Sequence, residues 1–270
     1  MREISGDRPT SFAEKLLYLG YNLLRGIAGH SPRFKPRYWH SGILDAGADS
    51  PGRKKINQFF YKELPGIVPA GELSVLDVGC GSGYLRSILA ESGYHGLYTG
   101  IDIRQRKDFL HYENSKFKST FYETGIENYN THLKYDLVIT NTVLEHIQDD
   151  EFALKKCHAM CADEGFQIHI VPTFWSLLLY LWHGYRQYTP RRMIKLFCNK
   201  KNQVYRLGGV FSFLLHLLFI TFPEIFFRSG KLRESSIYTR LVEICSKMDR
   251  IIPVCSSLYV VVISRAVREA

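Results

Sequence analysis

The sequence predicts an α/β fold, a mostly parallel sheet with helices on both faces, and three observations carry that prediction. A short apolar run, residues 75–78, passes straight into the glycine-rich turn Gly79-Cys80-Gly81-Ser82-Gly83 and then into a helical pattern that opens near Tyr84. Further apolar runs at 97–103, 117–122, 135–140 and 166–171 alternate with helical segments, the rhythm of parallel strands joined by crossover helices. Polar residues able to do chemistry stand where these runs end: Asp102, Glu123 and the stretch from Asn141 to His146. In open α/β sheets ligands bind outside the carboxyl ends of the strands, so these residues and the glycine turn are expected to converge.

The elements follow in order. Residues 1–10 are polar, with no apolar run behind Arg2, which reads as a cytosolic start with no secretory leader. Phe12, Leu16, Leu19, Leu23 and Ile27 recur at helical spacing, an amphipathic helix closed by Gly26 and Gly29 and suited to cap a pocket. Residues 30–48 are rich in Pro, Gly and aromatics and read as an irregular crossing. Ser50-Pro51 offers an N-cap and a first-turn proline for a helix to about Tyr61. A helix over 84–92 follows the glycine turn, and strands two to four occupy 97–103, 117–122 and 135–140. A helix spans 150–160, a turn 161–165, and strand five 166–171, stopped by Pro172. Thr189-Pro190 opens a helix to Phe197, 203–207 is strand six, and Tyr259-Val260-Val261-Val262-Ile263 marks a buried last strand within 257–264. Between them, 208–254 reads as an insertion: an apolar run at 210–222, then Pro223, then a polar helix near 238–248.

Glycine at 79, 81 and 83 permits positive φ and lets a bulky ligand lie against bare backbone. Asp102 stands where a carboxylate takes both ribose hydroxyls of a nucleoside. The spacing is not that of a dinucleotide fingerprint: the third glycine comes one residue early, and Tyr84 occupies the position that should be glycine. Asp77, two residues before the first glycine, places a carboxylate beneath the turn, which suits an amino-acid moiety better than a pyrophosphate.

Val75-Leu76-Asp77-Val78-Gly79-Cys80-Gly81-Ser82-Gly83 closely resembles motif I of the class I S-adenosylmethionine-dependent methyltransferases. Tyr135-Asp136-Leu137-Val138-Ile139-Thr140-Asn141-Thr142-Val143-Leu144-Glu145-His146-Ile147 is similar to that family's fourth-strand motif, and residues 161–172 resemble its turn and fifth strand. The likeness covers residues 54–172 with three motifs in order. It implies a Rossmann-like, seven-stranded sheet whose antiparallel last strand inserts between strands five and six, with a hydrophobic helical insertion ahead of it. It also implies S-adenosyl-L-methionine as cofactor, held by Asp77, Gly79, Cys80, Gly81, Gly83, Asp102, Ile103, Glu123 and Asn141. Glu123 would accept the adenine amino group or else face solvent. The implied organisation is a helix and irregular cap at 1–49, a cofactor-binding core at 50–207, an insertion at 208–254 and the last strand and tail at 255–270.

The sulfonium methyl is already activated, so the protein must chiefly align an acceptor and exclude water. A hydroxyl acceptor also needs a base, for which His146 and, second, His183 are the candidates. Some relatives that methylate quinone precursors carry another Glu three residues before the Leu-Glu-His glutamate; Thr142 stands there, so no metal is expected. Cys157 and Cys161 lie one helical turn apart without a second pair of ligands, and all six cysteines read as reduced thiols.

Between Phe174 and Arg240 there are eleven cations and two anions, an excess as large as the chain's whole net charge of +9. That segment faces an anionic substrate, nucleic acid, a membrane or solvent. Nucleic acid is the weakest of these: Asn141-Thr142-Val143-Leu144 lacks the two prolines of the base-flipping amine enzymes, and no Pro-Cys nucleophile is present. Segment 208–227, bracketed by Lys200, Lys201, Arg206, Arg228, Lys231 and Arg233, is either a lid or a peripheral membrane contact, its apolar run at 210–222 being too short to span a bilayer and interrupted by Pro223 and Glu224. The function these features imply is methyl transfer to a small or lipid-linked acceptor, most readily at oxygen, by a cytoplasmic protein with access to the inner face of a membrane. The alternative is a catalytically silent domain of the same fold that binds partners.

Overall fold

The structure, a computed structural model, describes residues 5–41, 48–197 and 202–264. Cys198, Lys200 and Lys201 lie outside the described residues. In chain order the elements are α1 (Phe12–Ala28), β1 (Arg37–Trp39), α2 (Pro51–Lys62), α3 (Leu64–Ile67), β2 (Glu72–Val78), α4 (Leu85–Glu91), β3 (His95–Asp102), β4 (Phe117–Glu123), β5 (Tyr135–Asn141), α5 (Asp150–Met160), β6 (Cys161–Pro172), α6 (Ser176–Leu179), α7 (Pro190–Phe197), β7 (Gln203–Leu207), α8 (Val210–His216), α9 (Phe222–Phe227), α10 (Ser236–Met248) and β8 (Leu258–Ser264). They divide into two compact units. One comprises Met1–Phe59, Val171–Leu196 and Val204–Val260, the other Phe60–Ile170, Phe197–Gln203 and Val261–Ala270.

The second unit contains a run of five parallel strands, in the order β6-β5-β2-β3-β4. Val75, Leu76 and Val78 of β2 and Leu137, Val138 and Ile139 of β5 are all buried, the mark of central strands covered on both faces. Helices supply the cover through residues one turn apart: Leu85, Ile88 and Leu89 of α4, and Ala153, Cys157 and Met160 of α5, whose N-terminus is capped by the Asp149 carboxylate. The chain builds outward from β2 through β3 to β4, then returns to the other side of β2 to add β5 and β6. That reversal makes the β2 end a topological switch point, the place where open α/β sheets form a crevice.

Two expectations need correction here. Residues 161–165 are not a turn: β6 begins at Cys161, which pairs with Tyr135, and a register irregularity between Tyr135 and Leu137 takes up the mismatch before Phe166. The strands also number eight among the described residues, not seven. The added strand is β1, in the stretch read as irregular. It pairs in parallel with β7 and is anchored by Trp39, whose ring packs edge-on against Phe59 at 5.4 Å.

β8 stands between β7 and β6 in strand order. Ser257, just ahead of β8, donates its N–H to the Leu207 carbonyl at the end of β7 and accepts from Thr173 N–H just past the end of β6, both at 3.0 Å. β8 therefore starts where its neighbours finish and runs antiparallel to both, as the motif resemblance implies.

The first unit holds the helical insertion. α8, a single π-helical turn at Leu217–Thr221 and α9 form one continuous helix, Val210–Phe227, that passes through Pro223 instead of stopping there. Proline supplies no N–H to the preceding turn, and a widened turn just before it is how a helix absorbs that loss. The helix is thereby 18 residues, about 27 Å at 1.5 Å per residue, long and apolar enough to cross a membrane by length and composition alone, contrary to the estimate from the run at 210–222. Some 39% of it is nevertheless buried within the protein. Leu215 and Ile220 pack on Tyr238 and Val242 of α10. The hairpin is tied to α2 by a buried network: Asp249 accepts from Ser212 N–H at 3.0 Å and Ser212 Oγ at 2.5 Å, and pairs with Lys55 Nζ at 3.2 Å.

Candidate active site

Four strands deliver the expected site residues to one edge of the second unit. β2 ends at Val78 and opens the glycine turn, β3 ends at Asp102, β4 at Glu123 and β5 at Asn141. Register fixes their lateral order: Val78 is opposite Ile101 on one side and Thr140 on the other, and Asp102 is opposite Glu123. Parallel pairing in register is thus sufficient to gather residues up to 64 positions apart in sequence, from 77 to 141.

The three glycines of the turn prove to have different reasons. A Cβ on Gly79 would meet the Val143 side chain at 2.3 Å, and one on Gly83 would meet the Phe109 ring at 2.9 Å and the Arg86 guanidinium at 3.1 Å, so both are demanded by packing. Gly81, at φ +54°, faces open space, with only Arg106 Cδ within 4 Å at 3.8 Å. It alone keeps room at the turn for a ligand. The turn's backbone N–H groups are already engaged within the protein. Gly79 and Cys80 both donate to Ile101 O, at 2.8 and 3.1 Å, Gly83 donates to Cys80 O at 2.8 Å, and Gly81 donates to Asp102 Oδ2 at 2.9 Å. The turn is locked onto the end of β3 and offers a pre-shaped cradle.

Asp102 is the hinge of that arrangement. Besides holding Gly81, its Oδ1 accepts from Arg104 N–H at 3.2 Å, so the carboxylate is oriented by backbone on both sides and keeps lone pairs for ribose hydroxyls. Ile103 beyond it is 73% exposed. Glu123 is exposed at the end of β4. Cys80 contributes backbone only: its thiol is buried against Gly100, and burial pushes its acidity far out of the physiological range.

Asp77 lies beneath the turn, 1% exposed. Tyr98 OH donates to its Oδ2 at 2.5 Å, while Oδ1 is buried with no hydrogen-bond partner. Burial raises its carboxyl to about 7, against the lowering effect of the Tyr98 hydrogen bond and with a further upward push from Asp102. Asn141 is left in a similar state. Its Nδ2 donates to Tyr84 OH at 2.7 Å and its Oδ1 is buried without a partner. Two orphaned polar atoms beside a glycine cradle and a strand-end carboxylate fit a zwitterionic, nucleoside-bearing group: an acceptor for an ammonium, an acceptor for an N–H, and an anchor for a ribose.

His146 closes the short helical turn Leu144–His146 after β5, partly exposed, with Nε2 3.9 Å from Oε1 of the buried Glu145. His183 belongs to the other unit, where its Nδ1 is 3.9 Å from Asp7 Oδ1 and its carbonyl accepts from Tyr18 OH. His146 lies in the same unit as the cofactor-site residues.

Several residues of the site are not visible in the motif. Tyr84, placed where a dinucleotide enzyme has glycine, uses its hydroxyl to orient Asn141. Arg86 is fully buried between the rings of Phe109 and Tyr98, at 4.1 and 5.3 Å, and donates to the carbonyls of Phe109 and Gly83. Thr142 takes φ +51°, a strained conformation for a β-branched residue, held by its N–H to Ile170 O and its hydroxyl to Asn141 O. Their signal in the sequence is only a bulky or charged residue where the pattern asks for something small or apolar.

Residues 32–200 match the family described as "Methyltransferase domain", well over half of the chain. The chain belongs to that family. Its class I fold and its S-adenosylmethionine cofactor follow from the membership. Among curated proteins it is 32% identical over 112 residues to a ubiquinone biosynthesis O-methyltransferase of Bradyrhizobium diazoefficiens, covering 40% of this chain and 44% of that one. It is 29% identical over 141 residues to a malonyl-[acyl-carrier protein] O-methyltransferase of Acetivibrio thermocellus, covering 48% of each. The matched region spans less than half the length of these relatives. Among solved structures, a mycolic acid cyclopropane synthase complexed with S-adenosylhomocysteine superimposes with a TM-score of 0.51 at 13% identity, over 83% of this chain and 88% of that one, a likeness of fold.

Proposed function

We propose that this methyltransferase-family protein transfers a methyl group from S-adenosylmethionine to an oxygen of a small or lipid-linked acceptor. Its cofactor-binding core is residues 50–207, and 208–254 serve as the element that meets the acceptor's surroundings. The observation that carries the reading is the convergence of Asp77, Gly81, Asp102 and Asn141 at one sheet edge, with unpartnered buried oxygens on Asp77 and Asn141. The names of the similar curated proteins, both O-methyltransferases, support oxygen as the acceptor atom.

When bound, S-adenosylmethionine supplies an electrophilic sulfonium methyl. The chain's residues do the rest. Asp102 holds the ribose, with Ile103 and Glu123 flanking the adenosine side, and the ionised Asp77 and the Asn141 side chain hold the amino-acid end. The Gly79 to Gly83 turn, locked by Ile101 O and Asp102, keeps these groups in place without reorganisation, which is where most of the rate advantage of such a transfer originates. His146 Nε2 takes the proton of the acceptor hydroxyl, and the buried Glu145 carboxylate nearby favours the resulting imidazolium. His183 is the second candidate for that proton.

Outward-facing Leu214, Leu218, Phe222 and Phe226 on the Val210–Phe227 helix, with Arg228, Lys231 and Arg233 just beyond, support an acceptor drawn from the inner face of a membrane. The test is methyl transfer from labelled S-adenosylmethionine to a panel of phenols, short carboxylic acids and prenyl-tailed phenols in vesicles. The reading requires a methyl ether or ester as product and a His146→Ala variant about two to four orders of magnitude slower with unchanged cofactor affinity. Cofactor binding without turnover on any acceptor would make the chain a binding protein instead.

A further inference from the structure

The helix α1 is amphipathic the wrong way round. Its exposed residues are apolar without exception: Phe12, Leu16, Leu17, Leu23, Leu24 and Ile27, each between 49% and 77% exposed, together with Ala13, Gly20 and Ala28. Its buried residues are Tyr18, Asn22 and Gly26, one turn apart. This orientation is fixed by specific contacts. Tyr18 OH donates to His183 O at 2.7 Å, Trp182 Nε1 donates to Lys15 O at 3.2 Å, and a Cβ on Gly26 would strike the Phe174 ring at 1.8 Å. Turning the apolar stripe inward would break all three.

We propose that α1 is an in-plane docking helix for an anionic lipid surface, independent of the reading of the Val210–Phe227 helix and of the methylated atom. Its 17 residues, about 26 Å, carry Glu14, Lys15 and Arg25, charges that a span would have to bury, and its N-terminus is closed by a capping box between Ser11 and Glu14, so it suits a surface better than a crossing. What covers it is indicated by charge. Arg33, Lys35 and Arg37 follow α1 and are exposed, and Arg191 N–H donates to Gly29 O at 2.9 Å, which sets the exposed Arg191 and the cationic start of α7 at the C-terminal end of α1. An apolar stripe flanked by such a basic cluster matches an acyl-chain boundary under anionic head groups. A second copy of the chain would bring the same cations together.

The experiment is flotation of the full chain with vesicles of phosphatidylcholine containing about one third phosphatidylglycerol, and with phosphatidylcholine alone, at low and high salt. The proposal predicts partition to the anionic vesicles that weakens with salt and falls at least about tenfold in Leu17→Glu/Leu24→Glu. Both positions are exposed, so the variant should keep the wild-type melting midpoint and S-adenosylhomocysteine affinity; Leu17→Ser/Leu24→Ser carries the same test if the glutamates unfold the helix. Wild-type protein that stays with the aqueous phase overturns the proposal, as does partition undiminished in both variants. So does a wild-type dimer in sedimentation that these variants convert to monomer, since the stripe would then be a subunit contact. None of these outcomes touches the methyl-transfer reading, which is read separately from cofactor binding.

Discussion

Replacing Asp77 by asparagine should make the cofactor-free protein more stable while weakening cofactor binding. The carboxyl is fully buried, with one oxygen satisfied by Tyr98 and the other by nothing, and burial lifts it from the ordinary 3.8 to about 7. A group whose folded value is raised binds more protons folded than unfolded between those two values, so its contribution to stability falls as pH rises through that window and levels off above about 7. Each pH unit of the window is worth about 1.36 kcal/mol, so the charged side chain costs the folded state roughly 4 kcal/mol at pH 8 and almost nothing at pH 3.5. Asparagine keeps the acceptor for Tyr98 and has no charge to bury; its amide nitrogen, in place of the unpartnered Oδ1, adds a pH-independent cost of about 1 to 3 kcal/mol, so the net gain shows at the upper end of the window. The assay is urea unfolding of wild type and Asp77→Asn without cofactor, from pH 4 to pH 8, with the difference between the two proteins as the readout so that other titrating groups cancel. The asparagine variant should gain steadily up to about pH 7 and bind S-adenosylhomocysteine more weakly. A difference independent of pH, or one that favours the wild type as pH rises, would refute the account of Asp77 as a buried carboxylate held in waiting for a cation.

Asp102→Ala should weaken S-adenosylhomocysteine binding by about 1.5 to 3 kcal/mol in equilibrium dialysis, the scale of a hydrogen bond to a charged group, because it frees Gly81 N–H and removes the ribose acceptor. Unchanged affinity would remove the ribose assignment. Asp249→Ala should cost about 3 to 5 kcal/mol in chemical denaturation, since it strands Lys55 in a site where burial already depresses its ammonium and Asp249 is what offsets that. Gly79→Ala should lower the melting midpoint by forcing a Cβ into Val143 at a position with φ +68°, whereas a neutral outcome would mean that the β5 loop yields freely.

Much of this architecture is readable before any coordinates. The strands at 75–78, 117–122, 135–140 and 203–207 and the helix at 150–160 occur within a few residues of their apolar patterns, because central parallel strands and the helices that cover them leave little freedom of placement. β1 escapes notice because a three-residue edge strand leaves no periodicity, only Tyr38 and Trp39 among prolines. The division of labour among the three glycines is invisible in the motif, since what demands Gly79 is Val143, some sixty residues later. The strain at Thr142 and the role of Tyr84 depend on strand neighbours in the same way. α1 shows a different limit: helical periodicity reports that a helix has two faces, and here Tyr18, Asn22 and Gly26 supply the inward one.

The most direct measurement is calorimetric titration of S-adenosylhomocysteine into the wild-type chain and into Gly81→Val at pH 8, where Asp77 is ionised. Gly81 is the turn position whose Cβ would meet open space, so a valine there should fill the cradle without displacing a packed neighbour, while straining the turn's own backbone at φ +54°. The account predicts one molecule bound per wild-type chain and a loss of binding in a variant that still unfolds cooperatively. Equal binding by both proteins, or none by the wild type, would contradict it.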